Sequence, residues 1–279
     1  MQNANTWLIT GVSSGFGLSM ARQLLAAGKT VIGTVRSPAA AQALVDKYPE
    51  TFDRRILDVR DAAAVQRTVD EAFARHGRID VIVSNAGYGL FGAAEELTDA
   101  EVLEITETNL LGSIRLIRAA LPHLRAQKGG RVIQVSSYGG QVAFPGNSMY
   151  HATKWGIEGF CESVAQEVAP FGIGVTIVEP GGARTDFRYR SARVANLTPV
   201  YDGNPAHAFL RMLDPANGLA PGDTAKMAER MIESVSIEPA PMRMVLGSQA
   251  LASTISTLEK RLEDFRGMTL LAQSTDVTE

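Results

Sequence analysis

The chain opens with a short apolar run, Thr6–Thr10, that ends at Gly11 and gives way to a segment from about Gly15 to Ala27 with apolar residues at helical spacing. Gly28 marks the end of that helix, and Thr30–Val35 follows as a second apolar run rich in β-branched residues. The same alternation continues along the chain. Strands are predicted near Arg54–Leu57, Ile79–Ser84, Arg131–Ser136, Val175–Val178 and Met242–Leu246, with helical patterns over 62–75, 99–127, 150–168 and 250–266. Ser37-Pro38 reads as a helix cap followed by Pro at the first helical position, and Thr98-x-x-Glu101 as a capping box. About seven strands alternating with helices predict βαβ units, and hence an α/β fold with a doubly wound parallel sheet flanked by helices.

The alternation lapses between about 187 and 241, where Tyr189, Tyr201, Phe209 and Met212 stand among several prolines and glycines. This stretch reads as an irregular or short-helical, substrate-covering lobe within a single domain over 1–279; a mobile surface loop is the plainer alternative. The composition, 45% hydrophobic and 20% charged with a net charge of −3, is that of a globular protein and invites neither nucleic acid nor an anionic membrane. The single Cys161 excludes an intramolecular disulfide, and His76, His123, His151 and His207 show no metal-ligand spacing, so no metal is expected. Residues 1–10 lack a basic region followed by an apolar core, and no apolar run approaches the ~18 residues that would span a bilayer. A cytoplasmic protein is expected.

Two stretches carry chemistry. Thr10-Gly11-x-x-x-Gly15-x-Gly17 lies between the first strand and the first helix, where glycines permit a tight turn and let backbone N–H groups approach a pyrophosphate at a helix N-terminus. No carboxylate occurs between Gly17 and Asp46 to bind a ribose 2′-hydroxyl; instead the second strand ends in Arg36, and Ser13 and Ser14 sit in the glycine loop. A guanidinium with hydroxyl donors suits a 2′-phosphate, so NADP(H) is expected over NAD(H). The second stretch runs from Val135 to Lys154. Tyr150 and Lys154 are four apart and share a helix face, and Ser137 lies thirteen residues before Tyr150, across a Gly-rich loop. A phenol with a pKa near ~10 is a poor acid or base at neutral pH, and a neighbouring ammonium draws it down. The three read as a proton-transfer unit for a carbonyl or hydroxyl substrate, although Tyr and Lys at this spacing also occur on purely structural helices.

With these motifs in this order, the sequence from about Thr6 to Phe187 resembles the short-chain dehydrogenase/reductase family. The resemblance implies a Rossmann-type fold and the interconversion of an alcohol and a ketone or aldehyde by hydride transfer. It adds Asp58 as the acid that contacts adenine, Asn85-Ala86-Gly87 after the fourth strand, and Asn109, 28 residues before Ser137, as a helix Asn that holds a water. It also adds Pro180, Gly181 and Thr185 as contacts of the nicotinamide carboxamide, with Phe16 and Val59 completing the cofactor set. In the roles it implies, Ser137 binds the substrate oxygen, Tyr150 exchanges its proton, Lys154 lowers the Tyr pKa and holds the nicotinamide ribose, and the water on Asn109 links Lys154 to solvent. Family members pair through long helices, which points to a homo-oligomer, a dimer or tetramer.

Leu90, Phe91, Tyr138, Gln141, Phe144, Met149 and Phe187 are expected to line a mainly apolar substrate pocket, which favours an uncharged small-molecule ketone or alcohol. Two alternatives stand beside this: a reductase of ketoacyl thioesters that docks a carrier through Arg184, Arg188, Arg190 and Arg193, and a non-catalytic dinucleotide-binding regulatory protein. His151 and Cys161 are expected to pack, Glu95 and Glu96 to be solvated, and Asp186 to be either surface or site.

Overall fold

The structure, a computed structural model, describes residues 4–185 and 191–277. Seven parallel strands form the sheet: β1 (Thr6–Thr10), β2 (Thr30–Val35), β3 (Phe52–Ile56), β4 (Val81–Ser84), β6 (Gly130–Val135), β7 (Ile173–Pro180) and β9 (Arg243–Leu246). Their order is β3-β2-β1-β4-β6-β7-β9. A second, two-stranded parallel sheet joins β5 (Leu90–Phe91) to β8 (Arg193–Val194).

The central strands β1, β2 and β4 are almost wholly buried and read as near-continuous apolar runs, as expected when both faces of a parallel sheet are covered, whereas the edge strands β3 and β9 are only partly buried. Alternate residues serve opposite faces. Leu8, Ile32, Ile82 and Val132 face Val69 of α3 (Ala62–His76), Leu116 of α5 (Gly112–Ala126) and Ile157 of α6 (Ser148–Val168). Trp7, Ile9, Val31 and Val81 face Met20 and Leu24 of α1 (Gly15–Ala26) and Met227 and Met231 of the helix Thr224–Glu233. Each such side chain, removed from water, contributes about 1.5–3 kcal/mol. Because β1 lies between β2 and β4, the chain turns to opposite sides of the sheet here and opens a crevice at the strands' carboxyl ends.

Several expectations are revised. Ser37-Pro38 does not start a helix. The Ser37 carbonyl accepts from Ala40 N–H in a turn, Ala41 adopts a left-handed φ of 59°, and α2 begins only at Gln42 (Gln42–Lys47). Strand β4 starts at Val81, two residues later than expected, and the Asp80 carboxylate just before it accepts the N–H groups of Asn5 and Thr6 at 2.8 and 3.1 Å. The helix expected over 99–127 is α4 (Asp99–Ile105), with the Thr98–Glu101 capping box formed, then a π-helical turn over Thr106–Leu111, then α5. Within 187–241 the helix Thr224–Glu233 is regular, capped by Asp223, which accepts from Ala225 and Lys226 N–H.

Candidate active site

The glycine loop is shaped by close approach of backbone. Gly11 has φ +75° and Gly15 φ +56°. A Cβ on Gly17 would lie 2.3 Å from the Gly11 carbonyl oxygen and 2.6 Å from Asn85 Nδ2. Asn85 donates from Nδ2 to the carbonyls of Thr10 (2.8 Å) and Gly11 (3.1 Å), while the Thr10 hydroxyl accepts the N–H groups of Asn85 and Ala86. The end of β4 is thereby tied to the end of β1. Gly17 packs behind the loop, and Gly11, Ser13, Ser14, Gly15 and Phe16 line a cavity of about 500 Å³. Ser14 caps α1 without a side-chain hydrogen bond.

Arg36, Asp58, Val59, Asn85, Ala86, Gly87, Pro180, Gly181 and Thr185 line the same cavity. Arg36 is exposed and makes no hydrogen bond or ion pair among the described residues. Asp58 is engaged by Arg60, which holds its carboxyl below the usual range. Arg60 also pairs with Glu104, and Glu104 with Arg193, whose guanidinium lies 4.7 Å from the Tyr88 ring centre. This chain of charges along the rim was not foreseen, since its members come from four separate segments. A glycine cradle, a helix N-terminus and a guanidinium at the end of β2 fit a phosphate-bearing dinucleotide.

Tyr150 and Lys154 share a face of α6, and both line the cavity with Ser137. Ser137, extended at the end of β6, accepts Gly139 N–H at 3.0 Å and is hydrogen-bonded to the Tyr150 hydroxyl. Lys154 Nζ lies 5.7 Å from the Tyr150 ring centre and donates to the Val135 carbonyl at 3.1 Å. Burial pushes the Tyr150 phenol up to about 12, and the Ser137 hydrogen bond offsets this only in part. Burial also pushes Lys154 down to about 8. In this cofactor-free geometry desolvation sets the direction of the phenol's shift, opposite to the lowering expected from the ammonium. Asn109, in the π-helical turn, sits behind the wall. Its amide donates to Tyr88 O (2.8 Å) and accepts from Tyr88 N–H (3.0 Å), so the side chain braces the exit of β4.

The substrate side is aromatic. Phe91 lies 6.2 Å from Tyr150 between ring centres, Phe209 5.9 Å from Phe91 and 6.0 Å from Phe144, and Tyr138 5.4 Å from Phe144. Met212 and Leu213 complete this wall. Three expected members are turned elsewhere. Gln141 donates to Glu158 at 2.5 Å beneath the site, and Leu90 and Met149 pack with Tyr88 and Ile105. Phe187 lies outside the described residues, as do Asp186, Arg188, Tyr189 and Arg190. Of the basic residues expected at the mouth, Arg184 donates to Ala220 O and Arg193 is paired. His151 pins the loop as a neutral tautomer: Nε2 accepts Phe144 N–H at 3.0 Å, which leaves Nδ1–H to donate to Gly139 O at 2.7 Å. Burial accordingly lowers its pKa. Cys161 is buried, as expected, and burial pushes its thiol up to about 12.

Glu96 is not solvated. Its carboxylate is buried and accepts from the N–H groups of Ala93 (2.8 Å) and Thr198 (2.7 Å), the Thr198 hydroxyl and His207 Nε2. Burial alone would raise its pKa; the hydrogen bonds, led by Thr198 and Ala93 N–H, bring it down to about 2. Glu96 thus fastens the lobe residues around 198–207 to the body. Glu95 accepts from the Tyr201 hydroxyl at 2.6 Å.

The family pattern of the short chain dehydrogenases matches residues 5–194. The oxidoreductase BOA17 of Botryotinia fuckeliana is 37% identical over 88% of this chain and 89% of its own length. The 3-ketodihydrosphingosine reductase of Bacteroides thetaiotaomicron is 34% identical over 86% of this chain and 87% of its own. A crystal structure of a short-chain dehydrogenase from Streptomyces avermitilis superposes with a TM-score of 0.91 at 38% identity, covering 98% of this chain and 100% of that one. The chain belongs to the short-chain dehydrogenase/reductase family. It is an NAD(P)-binding oxidoreductase acting on CH–OH and C=O groups of small molecules. Among the described residues, no helix is long and apolar enough to cross a membrane.

Proposed function

We propose that the protein interconverts a hydrophobic ketone and its secondary alcohol with NADP(H), through a proton relay of Ser137, Tyr150 and Lys154. The observation that carries this reading is the meeting, in one cavity, of the hydrogen-bonded Ser137–Tyr150 pair with an apolar wall of Phe91, Phe144 and Phe209. The nicotinamide dinucleotide, when bound, supplies or accepts the hydride at the carbonyl carbon. Gly11, Ser13, Ser14 and Gly15 hold its phosphates, and Arg36 holds the 2′-phosphate. Ser137 orients the substrate oxygen and stabilises charge that develops there. Tyr150 gives that oxygen a proton in reduction and removes it in oxidation. Lys154, on the same helix face, holds the ribose and its positive charge favours the phenolate. In the cofactor-free site burial holds the phenol protonated, the form that donates in reduction.

The apolar wall and the absence of a free basic group on it among the described residues support an uncharged body for the substrate. The name of the Bacteroides relative, a ketone reductase, supports the same class. The test is oxidation of NADPH and of NADH, in parallel, against hydrophobic ketones graded in size. Turnover with NADPH that improves with apolar surface is expected. Turnover confined to small polar carbonyls, or to NADH, would overturn the reading.

A further inference from the structure

Beneath the cavity lies a buried acid that the proposed relay does not use. Glu158 stands one helical turn beyond Lys154 and two beyond Tyr150, on the same face of α6. Its side chain is 3% exposed. One carboxylate oxygen accepts from the Ser136 hydroxyl at 2.5 Å; the other accepts from Gln141 Nε2 at 2.5 Å and from Arg243. A Cβ on Gly140 would lie 1.8 Å from Glu158 Oε1, so the loop can sit only with glycine there. Side chains from three separate segments thus converge on one carboxyl group.

We propose that Glu158 is a positioning residue for the reaction, fixing the end of β6, the loop after it and the Tyr150–Lys154 face of α6 in one register. Each tether acts on a different part of the relay. Ser136 precedes Ser137, so its hydrogen bond sets how far the Ser137 hydroxyl reaches toward Tyr150. Gln141 fixes the loop whose Tyr138 and Phe144 form the aromatic wall. Arg243 brings β9 under the same group and partly neutralises it. A misplacement of about 1 Å at the Ser137–Tyr150 pair is enough to cost about a hundredfold in rate. The inference rests on the Ser137–Tyr150–Lys154 reading above.

The carboxylate also carries charge. His151, Lys154, Cys161 and Glu162 on α6, Glu179 on β7, Arg243 on β9, and the phenols of Tyr138 and Tyr150 are titratable and charged groups around it and the relay. Glu179 shares Arg243 with it, and burial followed by the Glu158 charge pushes Glu179 up to about 7. The negative charge of Glu158 raises the pKa of both Tyr150 and Lys154. Removing it lowers the pKa of both, so activity in ketone reduction, which needs the protonated phenol and the ammonium, is then lost at lower pH.

The experiment is the pH profile of kcat and KM for ketone reduction in Glu158→Gln, Glu158→Asp and Gln141→Met, with Tyr150→Phe alongside. For Glu158→Gln, kcat falls about tenfold or more while KM for NADPH stays within about twofold, as for loss of an interaction felt in the transition state. Its basic limb also moves about half a pH unit lower, as expected for loss of a nearby like charge. Glu158→Asp restores the limb, and Gln141→Met lowers kcat with the limb unmoved, since the charge remains. A Glu158→Gln enzyme with wild-type kcat per folded active site and an unmoved limb would overturn the proposal. Should that variant not fold, an unchanged kcat in Gln141→Met would overturn it equally. Undiminished turnover in Tyr150→Phe would instead sink the relay reading itself, whereas an inactive Tyr150→Phe beside unaffected Glu158 and Gln141 variants sinks the positioning role alone.

Discussion

Asn85 clamps Gly11: its amide donates to the Gly11 carbonyl at 3.1 Å, so the residue that follows β4 fixes the first glycine of the loop after β1. The clamp leaves no room on the helix that faces it. Nothing larger than hydrogen fits at Gly17 without moving Gly11 O, a backbone atom, or Asn85.

Gly17→Ala is therefore expected to distort the loop instead of filling a void. Overpacking of this kind typically costs about 1–3 kcal/mol. A lowered Tm together with weakened NADPH binding is the expected outcome. Cofactor affinity equal to wild type would mean the loop absorbs a methyl group freely.

Arg36 is the group at the end of β2 with no ion pair among the described residues, and it faces the cavity. Arg36→Ala is expected to weaken NADPH by about 10- to 100-fold, the range of one charge-assisted hydrogen bond, while NADH changes little. Titration of both dinucleotides by fluorescence quenching decides it. Equal weakening of the two would defeat the assignment of the 2′-phosphate to Arg36.

The sheet was legible because parallel strands covered on both faces leave near-continuous apolar runs, as in VIVS of β4 and TVIGTV of β2, with helical periodicity between them. The glycine loop and the Tyr150–Lys154 pair were legible because their geometry is local, set by spacing along one element. What failed was decided at long range. Glu96 looked like surface, yet its partners Thr198 and His207 lie 102 and 111 residues away. Gln141 looked like pocket, yet Glu158, 17 residues on, turns it inward. Ser37-Pro38 had the right residue types for a cap, but Arg54 donates to Ala40 O and the Gln42 side chain, holding the helix start further along. The upward push on the Tyr150 phenol could not be foreseen either, since burial cannot be read from a neighbour at i+4.

The anchor at Glu96 gives the lobe a definite pH response. Its folded-state pKa of about 2 lies below the ordinary 4.5, so the carboxylate's contribution is fully present above about 4.5 and is lost as pH falls through about 2. Protease protection of the 198–207 segment is expected to be constant from neutral pH to about 5 and to fall only in stronger acid. Glu96→Ala removes the acceptor for Thr198 and His207 at every pH. We expect it to raise substrate KM about fivefold or more and leave NADPH affinity unchanged, as for loss of binding contacts alone. An unchanged KM would show that the anchored lobe does not shape the substrate site.

Tyr150→Phe is the sharpest test of the relay, because it removes one oxygen and keeps the ring. Phe91 and His151 still find their aromatic neighbour, and Lys154 still donates to Val135 O, so the cavity keeps its walls. What is lost is the partner of Ser137 and the proton. General acid–base groups typically contribute about 10²–10⁴-fold, and turnover is expected to fall by that much with NADPH affinity near wild type. Ser137→Ala should fall less far, since Tyr150 keeps its proton but the substrate oxygen loses a donor. Measured together under single-turnover conditions, the pair separates the roles. A Tyr150→Phe enzyme as fast as wild type would remove the phenol from the mechanism. A Ser137→Ala enzyme slower than Tyr150→Phe would transfer the main burden to the hydroxyl at the end of β6.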